Sequence, residues 1–295
     1  MPGGILATGV ARIAYFGPEG TFTHEALMTA LERAGATSRA ELELVPYPTI
    51  YETVMAVQTR EVERALVPIE NSLEGSVNAT LDTLAMDAPC VMIVGEVIHA
   101  VHHCLLARTE LALDEIEAVV SHPQATAQCA RFIRTHLRGA RVLAGSSTAE
   151  AVRIVADHDG PWAALGNRLA AERYGCRILQ SGVEDAPGNE TRFVWLAREE
   201  TGGAGAPQSA FKTSIVFWGI GSDAPGWLVR CLGEFADRGV NLTRIESRPR
   251  KEGLGRYMFF LDLEGAEGDS PVAAALAELR SHVEVLRVLG SFPVG

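Results

Sequence analysis

The sequence predicts an α/β protein: a helix-covered sheet split into two lobes, followed by a smaller βαββαβ unit of ferredoxin-like order. Three observations carry this. Short apolar runs alternate with helical patterns from Ile13 to Leu196, as a sheet flanked by helices requires. One Gly- and Pro-rich stretch, Glu200 to Ala210, has the composition of a flexible connector. Beyond it, strand, helix, strand, strand, helix and strand follow in about 80 residues. A chain of 295 residues has room for about two domains. The expected division is 11–200, a linker over 201–211, and 212–291.

In the first part Ile13–Phe16 reads as a buried strand. Glu25–Ala34 reads as a helix, with Ala26, Leu27, Ala30, Leu31 and Ala34 on one face and Gly35 as its stop. Glu41–Pro46 alternates like a strand, and Thr49 with Glu52 forms a capping box opening a helix to about Arg60. Arg64–Ile69 is a strand running into a polar loop and a further helix. Val91–Arg108 is one bent strand or two. Ala118–Ser121, Arg141–Ala144, Ala163–Leu165, Arg177–Leu179 and Thr191–Leu196 are strands. Helices start near Pro123, at the Ser147–Glu150 capping box and near Asn167. In the second part Thr213–Trp218, Asn241–Ser247, Arg256–Leu263 and Val283–Gly290 are the strands. One helix is capped by Ser222 or Asp223, with Pro225 early, Leu228, Cys231, Leu232 and Phe235 inward, and Gly239 at its end. The other helix is Pro271–Ser281.

Composition narrows the function. The net charge of -11 repels phosphate backbones and anionic lipid, so neither nucleic acid nor a membrane is an expected partner. The only lysines are Lys212 and Lys251, which excludes lysine Schiff-base chemistry from the first part. The five cysteines are widely spaced and odd in number, so a disulfide framework and a zinc-thiolate site are not expected, and the cytoplasm is the natural setting. The N-terminus lacks a signal-peptide pattern, and no run approaches a membrane span of about 20 apolar residues. His99 and His103, if both lie on one strand, are ~13 Å apart at ~3.3 Å per residue, too far to share a metal. Core or supporting roles are expected for them. Cys129 reads as a small buried hydrophobe.

Ligands in such sheets sit where strands run into helix N-termini. Four polar loops fit. Gly17-Pro-Glu-Gly-Thr-Phe-Thr-His24 has two glycines before a helix. Pro68-Ile-Glu-Asn-Ser-Leu-Glu-Gly75 brings Glu70, Asn71 and Ser72 out at a strand end. In Ser121-His-Pro-Gln124, Ser121 or His122 caps a helix and Gln124 faces outward. Gly188-Asn-Glu-Thr-Arg-Phe193 leads into a strand at Thr191. Taken singly, each also reads as an ordinary cap or turn.

In this order the four loops closely resemble prephenate dehydratase. The tail resembles that family's ACT regulatory domain, through Asp223-x-Pro-Gly226 and Asn241-Leu-Thr-Arg-Ile-Glu-Ser-Arg-Pro249. The likeness spans about residues 12–290, without the chorismate mutase helices of bifunctional forms. It implies a two-lobed, periplasmic-binding-protein-like catalytic part over 11–200. Lobe one would be about 11–105 and 190–200, lobe two about 106–189, and the ACT domain 212–291. It also implies decarboxylating dehydration of prephenate to phenylpyruvate without metal or cofactor, feedback regulation by L-phenylalanine, and a homodimer or homotetramer.

Carried over residue by residue, the resemblance makes Thr191 the essential hydroxyl. Asn71 and Gln124 join it in the catalytic set as orienting donors, and Thr21, Ser72 and Ser121 become substrate-binding groups. Glu70 is either a catalytic acid or support for Asn71 and Thr191. Arg192, next on the strand, should face away from Thr191 and be structural. The effector set is Asp223, Gly226, Leu228, Asn241, Leu242, Glu246, Ser247, Arg248 and Pro249. Trp227 stands where the family usually has Ala, which puts the pocket's size in question. Arogenate is the alternative substrate, and a non-catalytic sensor the alternative function.

Overall fold

The computed structural model describes residues 11–35, 42–198, 210–219, 221 and 224–295. Lobe one contains β1 (Ala11–Phe16), α1 (Phe22–Arg33), β2 (Leu42–Tyr47), α2 (Ile50–Gln58), β3 (Arg64–Asn71), β4 (Gly75–Ser76), α3 (Asn78–Met86) and β5 (Val91–Ala100). Lobe two contains β6 (Cys104–Ala107), β7 (Ala118–Ser121), α4 (Pro123–Gln128), α5 (Ala130–His136), β8 (Arg141–Ala144), α6 (Thr148–Ala156), β9 (Trp162–Gly166), α7 (Arg168–Tyr174) and β10 (Arg177–Ser181). The chain then returns through β11 (Glu190–Arg198) to lobe one.

The lobe-one sheet runs β2-β1-β3-β11-β5, with β4 beside β3; the lobe-two sheet runs β10-β6-β9-β7-β8. β11 is therefore a lobe-one strand reached only by way of lobe two, and it lies antiparallel between β3 and β5. Its register sets Thr191 opposite Asn71 on one side and His99 on the other. The same register sets Arg192 opposite Glu70. Adjacent strand residues point to opposite faces, so the Thr191–Arg192 peptide serves both faces of the sheet.

Beyond the linker come β12 (Phe211–Trp218), α8 (Trp227–Ala236), β13 (Leu242–Pro249), β14 (Tyr257–Glu264), α9 (Ser270–His282) and β15 (Val285–Pro293). Their sheet order, β13-β14-β12-β15, is the expected antiparallel ferredoxin-like arrangement. One face carries α8 and α9 over Phe217, Cys231, Phe235, Leu276 and Leu279. The other presents Val216, Met258, Phe260, Leu289 and Phe292 to the core of lobe one, beside Val54, Leu84 and Ile93. This continuous apolar seam fixes the second domain on the first. Gly290 permits it, since a Cβ there would lie 2.1 Å from the Ile93 carbonyl oxygen.

Several boundaries differ from expectation. The helix predicted from Glu25 begins at Phe22, because Thr21 supplies the cap. Val91–Arg108 is two strands in different sheets, broken at Val101–His103, so Cys104 and Leu105 already belong to the second lobe's sheet. The helix predicted from Ser222 or Asp223 begins at Trp227, with Gly226 at φ 79° as its cap, which leaves Pro225 outside it. Ser222, Asp223, Glu41 and linker residues 201–209 lie outside the described residues, and Phe211 already belongs to β12.

Candidate active site

A cavity of about 300 Å³ lies between the lobes, lined from lobe one by Thr21, Phe22, Thr23, Asn71, Thr191 and Phe193. Lobe two contributes His122, Gln124, Ala125, Gln128, Ser146, Ser147 and Thr148; the crossing segments add Val101, His103 and Asn189. Histidine aside, no titratable side chain lines it among the described residues.

Among the helices whose first turns reach this crevice, α1 and α6 carry side-chain caps that line it. At α1 the Thr21 hydroxyl accepts the His24 N–H at 3.3 Å and donates to the Phe16 carbonyl at 3.2 Å. At α6 the Ser147 hydroxyl accepts the Glu150 N–H at 3.0 Å. The first two amides of each helix, at Phe22 and Thr23 and at Thr148 and Ala149, have no acceptor inside the helix, and they add to the positive end of its dipole. At α4, Pro123 has no N–H, and the Gln124 N–H goes to His122 Nδ1 at 3.3 Å. The Gln124 side chain is exposed on the crevice wall and has no hydrogen-bond partner among the described residues.

Asn71 organises the floor. Its Nδ2 donates to Thr191 Oγ1 at 2.9 Å, to Asn189 Oδ1 at 2.8 Å and to the Glu190 carbonyl at 3.2 Å. Its Oδ1 accepts the N–H groups of Leu73 and Glu74 at 3.0 and 3.1 Å, which locks the amide's orientation. Thr191 and Asn71 are 8% and 9% exposed, so the pair is nearly dry. Accepting from Asn71 on one lone pair leaves the Thr191 hydroxyl's single proton available to donate elsewhere.

The wall continues through Gln128. Its Oε1 accepts from Asn189 at 3.3 Å and lies 2.9 Å from His103 Nε2, while its Nε2 donates to Glu74 at 3.3 Å. His103 therefore carries its proton on Nε2. Burial pushes its pKa down; the bond to Gln128 and the Glu184 charge partly oppose this.

Thr191, Asn71, Gln124 and Thr21 thus converge as expected, although the Thr21 hydroxyl is already committed to its cap. Three expected residues do not converge. Glu70 faces the other side of the sheet, 3.6 Å from Arg192 and 3.7 Å from Arg244, so neither a catalytic-acid role nor direct support of Thr191 fits its position. Ser121 is fully buried and donates to the Leu165 carbonyl at 3.0 Å, pinning β7 to β9. Ser72 is exposed; its Oγ accepts the Glu190 N–H at 3.0 Å and so braces the return strand. Cys129 is buried, with its thiol pKa pushed up by burial to about 12.

In the second domain Gly226 lies at the start of α8, while Leu228 and Leu242 pack on that domain's core. Asn241, Ser247 and Pro249 are exposed. Glu246 and Arg248 turn toward lobe one instead. Glu246 accepts from Ser76 at 2.9 Å, and Arg248 grips Asp82 at 3.1 and 3.0 Å. Burial alone would raise the Asp82 carboxyl, but bonds from Arg248 and Lys251 bring it below its ordinary value. Trp227 is buried against Phe217 and Phe259, with Nε1 donating to the His282 carbonyl at 2.9 Å. Its ring therefore fills its own domain's core.

Sequence reasoning passed over Asn189, Gln128 and the Ser146–Thr148 run as site residues. Three successive hydroxyl residues at a helix start were the available signal in the last case.

Comparison with known proteins agrees with this arrangement. The family model described as prephenate dehydratase matches residues 13–201, and that of the ACT domain matches 220–281. A prephenate dehydratase of Amycolatopsis methanolica is 41% identical, over 96% of this chain and 88% of its own. The crystal structure of an Arthrobacter aurescens prephenate dehydratase in complex with L-Phe superposes with a TM-score of 0.84 at 36% identity, covering 96% of this chain and 90% of that one. GqqA, described as a novel type of quorum quenching acylase, superposes at 0.80 with 30% identity, covering 96% and 98%.

Proposed function

The chain belongs to the prephenate dehydratase family, and from that premise we propose that its Thr191 hydroxyl is the donor to the departing oxygen of prephenate. The reaction is the decarboxylating dehydration of prephenate to phenylpyruvate. The ring carboxylate leaves as CO2, its bonding electrons enter the ring, and the C–OH bond breaks. One proton converts the departing hydroxide to water. The ring becomes aromatic, so the protein has to stabilise the leaving oxygen, hold the side-chain carboxylate and strip water from the ring carboxylate.

The observation that carries this reading is the Asn71–Thr191 bond in a nearly dry crevice. Asn71 fixes the hydroxyl's orientation, leaving its proton to meet the developing negative charge. The amides opening α1 and α6, with the free Gln124 side chain, suit carboxylates without placing a full positive charge beside them. Decarboxylation requires the ring carboxylate's charge to move into the ring, and a lysine or arginine beside that group would hold the charge back. An acylase reading finds less support, because His103 and His122 on the crevice wall are engaged by Gln128 and the Gln124 N–H.

L-Phenylalanine acts as feedback effector at the ACT domain, a reading supported by the L-Phe complex of the Arthrobacter protein. Gly226, Leu228, Asn241, Leu242, Ser247 and Pro249 remain its proposed contacts. Pairing with a second copy through β13 suits that strand, which is an open sheet edge carrying Ile245 at 51% exposure. The cytoplasm suits its five free thiols. The direct test is phenylpyruvate formation followed by ultraviolet absorbance, with prephenate and arogenate compared side by side. Turnover of neither substrate would refute the assignment.

A further inference from the structure

Behind Thr191, on the opposite face of β11, Arg192 is buried at the seam with the ACT domain. Its Nε donates to Glu96 Oε2 of β5 at 2.7 Å, and its Nη1 donates to Asp262 of β14. Lys212 of β12 holds both oxygens of Glu96 at 2.9 Å, and the Ser214 hydroxyl holds Asp262. The ACT domain thus supplies one of Arg192's two close carboxylates and steadies the other.

The arginine also has an unused alternative. Nη2 is buried without a hydrogen-bond partner among the described residues, and Nη1 lies 3.6 Å from Glu70 Oε2. Glu70 is 3.7 Å from Nε of Arg244 on β13. Arg244 donates to the Ser76 hydroxyl at 2.6 Å, and Ser76 donates to Glu246 at 2.9 Å. A chain of polar contacts therefore runs from the strand of the effector motif to Arg192.

Removing one partner of a buried ion pair leaves an uncompensated charge, so the ACT sheet cannot shift on lobe one unless Arg192 finds another carboxylate. Glu70 is in place to be that carboxylate. Arg192 is bonded in the chain to Thr191, and Glu70 to Asn71. An exchange from Asp262 to Glu70 would therefore pull on both ends of the Thr191–Asn71 hydrogen bond. We propose that Arg192 is a positioning residue through which the seating of the ACT domain sets the Thr191–Asn71 pair, with Glu246, Ser76, Arg244 and Glu70 linking the effector strand to it. The inference rests on the reading of Thr191 given above.

The test uses the full-length enzyme, with steady-state kinetics on prephenate with and without L-phenylalanine, and circular dichroism for folding. Lysine at 192 keeps the charge but loses the planar fork that spans two carboxylates. Arg192→Lys is expected to lower kcat about tenfold while KM stays within about twofold, a split that a purely structural defect would not give. Ser76→Ala is expected to keep basal kcat and KM and to retain L-phenylalanine binding by calorimetry. The concentration for half-inhibition should nevertheless rise at least about fivefold. If Arg192→Lys does not fold, Glu70→Gln, at a half-exposed position, is read for the same weakened L-phenylalanine response.

Wild-type kcat in folded Arg192→Lys, or wild-type inhibition in Ser76→Ala or Glu70→Gln, overturns the proposal. Thr191→Ala separates the two failures. Full turnover in that variant sinks the Thr191 reading and this one with it. An inactive Thr191→Ala beside wild-type behaviour in the other variants sinks this one alone.

Discussion

The two faces of β11 solve opposite electrostatic problems. On the crevice side Thr191 meets amides and hydroxyls, and among the described residues histidine is the one kind of titratable side chain on the wall. On the ACT side Arg192 and Lys212 meet Glu96 and Asp262 in a buried cluster. In the proposed reading a dianionic substrate meets the neutral face, while full charges close the seam between domains. Neutral donors bind an anion without pinning its charge, which suits a reaction in which that charge must move. Buried charges are poor at adapting but good at registering one surface on another.

The comparison breaks most readily at Thr191. Thr191→Ala should lower kcat by about 10²–10³-fold, the size of effect seen when one oriented donor to a developing oxyanion is removed. Its melting should hardly change, because Asn71 Nδ2 keeps two other acceptors. Thr191→Ser should retain much of the activity. Turnover of the alanine variant within an order of magnitude of wild type would mean that the crevice face is not where the leaving oxygen is met. Asn71→Ala comes next, with about 10²-fold lost in kcat and about 1–3 kcal/mol in stability, since the amides of Leu73 and Glu74 lose their acceptor. Denaturant melts together with kinetics separate the two losses.

Two smaller variants sharpen the contrast within lobe two. Gln124→Ala should raise KM by about tenfold with little change in stability, because the side chain has no partner to lose. Ser121→Ala, three residues away, should do the reverse. Kinetics should stay within about twofold, and stability should drop by about 1 kcal/mol as the Leu165 carbonyl loses its donor. A KM defect in Ser121→Ala would restore it to the substrate set.

This contrast also shows what the sequence conveyed. Strand runs such as Arg64–Ile69 and the helix caps at Thr49 and Ser147 are local signals, and the structure places them where expected, although the expected return bonds differ: Glu52 takes the Thr49 hydroxyl and Glu150 the Ser146 N–H. Loop convergence was legible because the motif order matched a known family. Facing was harder. Glu70 and Asn71 are neighbours on one strand, and nothing local says which of them meets the crevice. Packing of the ACT sheet on one side decides it. Ser121 failed for a similar reason: at the last position of β7, its side chain turns into the lobe toward Leu165. Gly226 in a left-handed conformation, rather than Pro225, starts α8, because the indole of Trp227 must turn inward beside Phe217 and Phe259.

The smallest predicted effect concerns the one titratable group type on the neutral face. His103 is buried, and its folded pKa lies below the ordinary value of about 6.5. Desolvation is the main cause; Glu184 and the Gln128 bond pull upward, and His102 pushes further down. Between the folded and unfolded values the unfolded chain binds more protons, so stability rises with pH there. The contribution is fully present above about pH 6.5 and is lost as pH falls through the folded pKa. Protonation would also place an N–H on Nδ1, which is buried without a partner among the described residues. Melting temperature should therefore decline as pH falls below about 6.5, and His103→Gln, which can still donate to Gln128, should remove that part of the decline. Asp82 and Glu184 have pKa values below the ordinary carboxylate range, so their contributions fall away only in more acidic solution. Parallel pH profiles for the wild type and His103→Gln would show that the crevice wall tolerates an imidazolium, and the neutrality of that face would then be incidental to its chemistry.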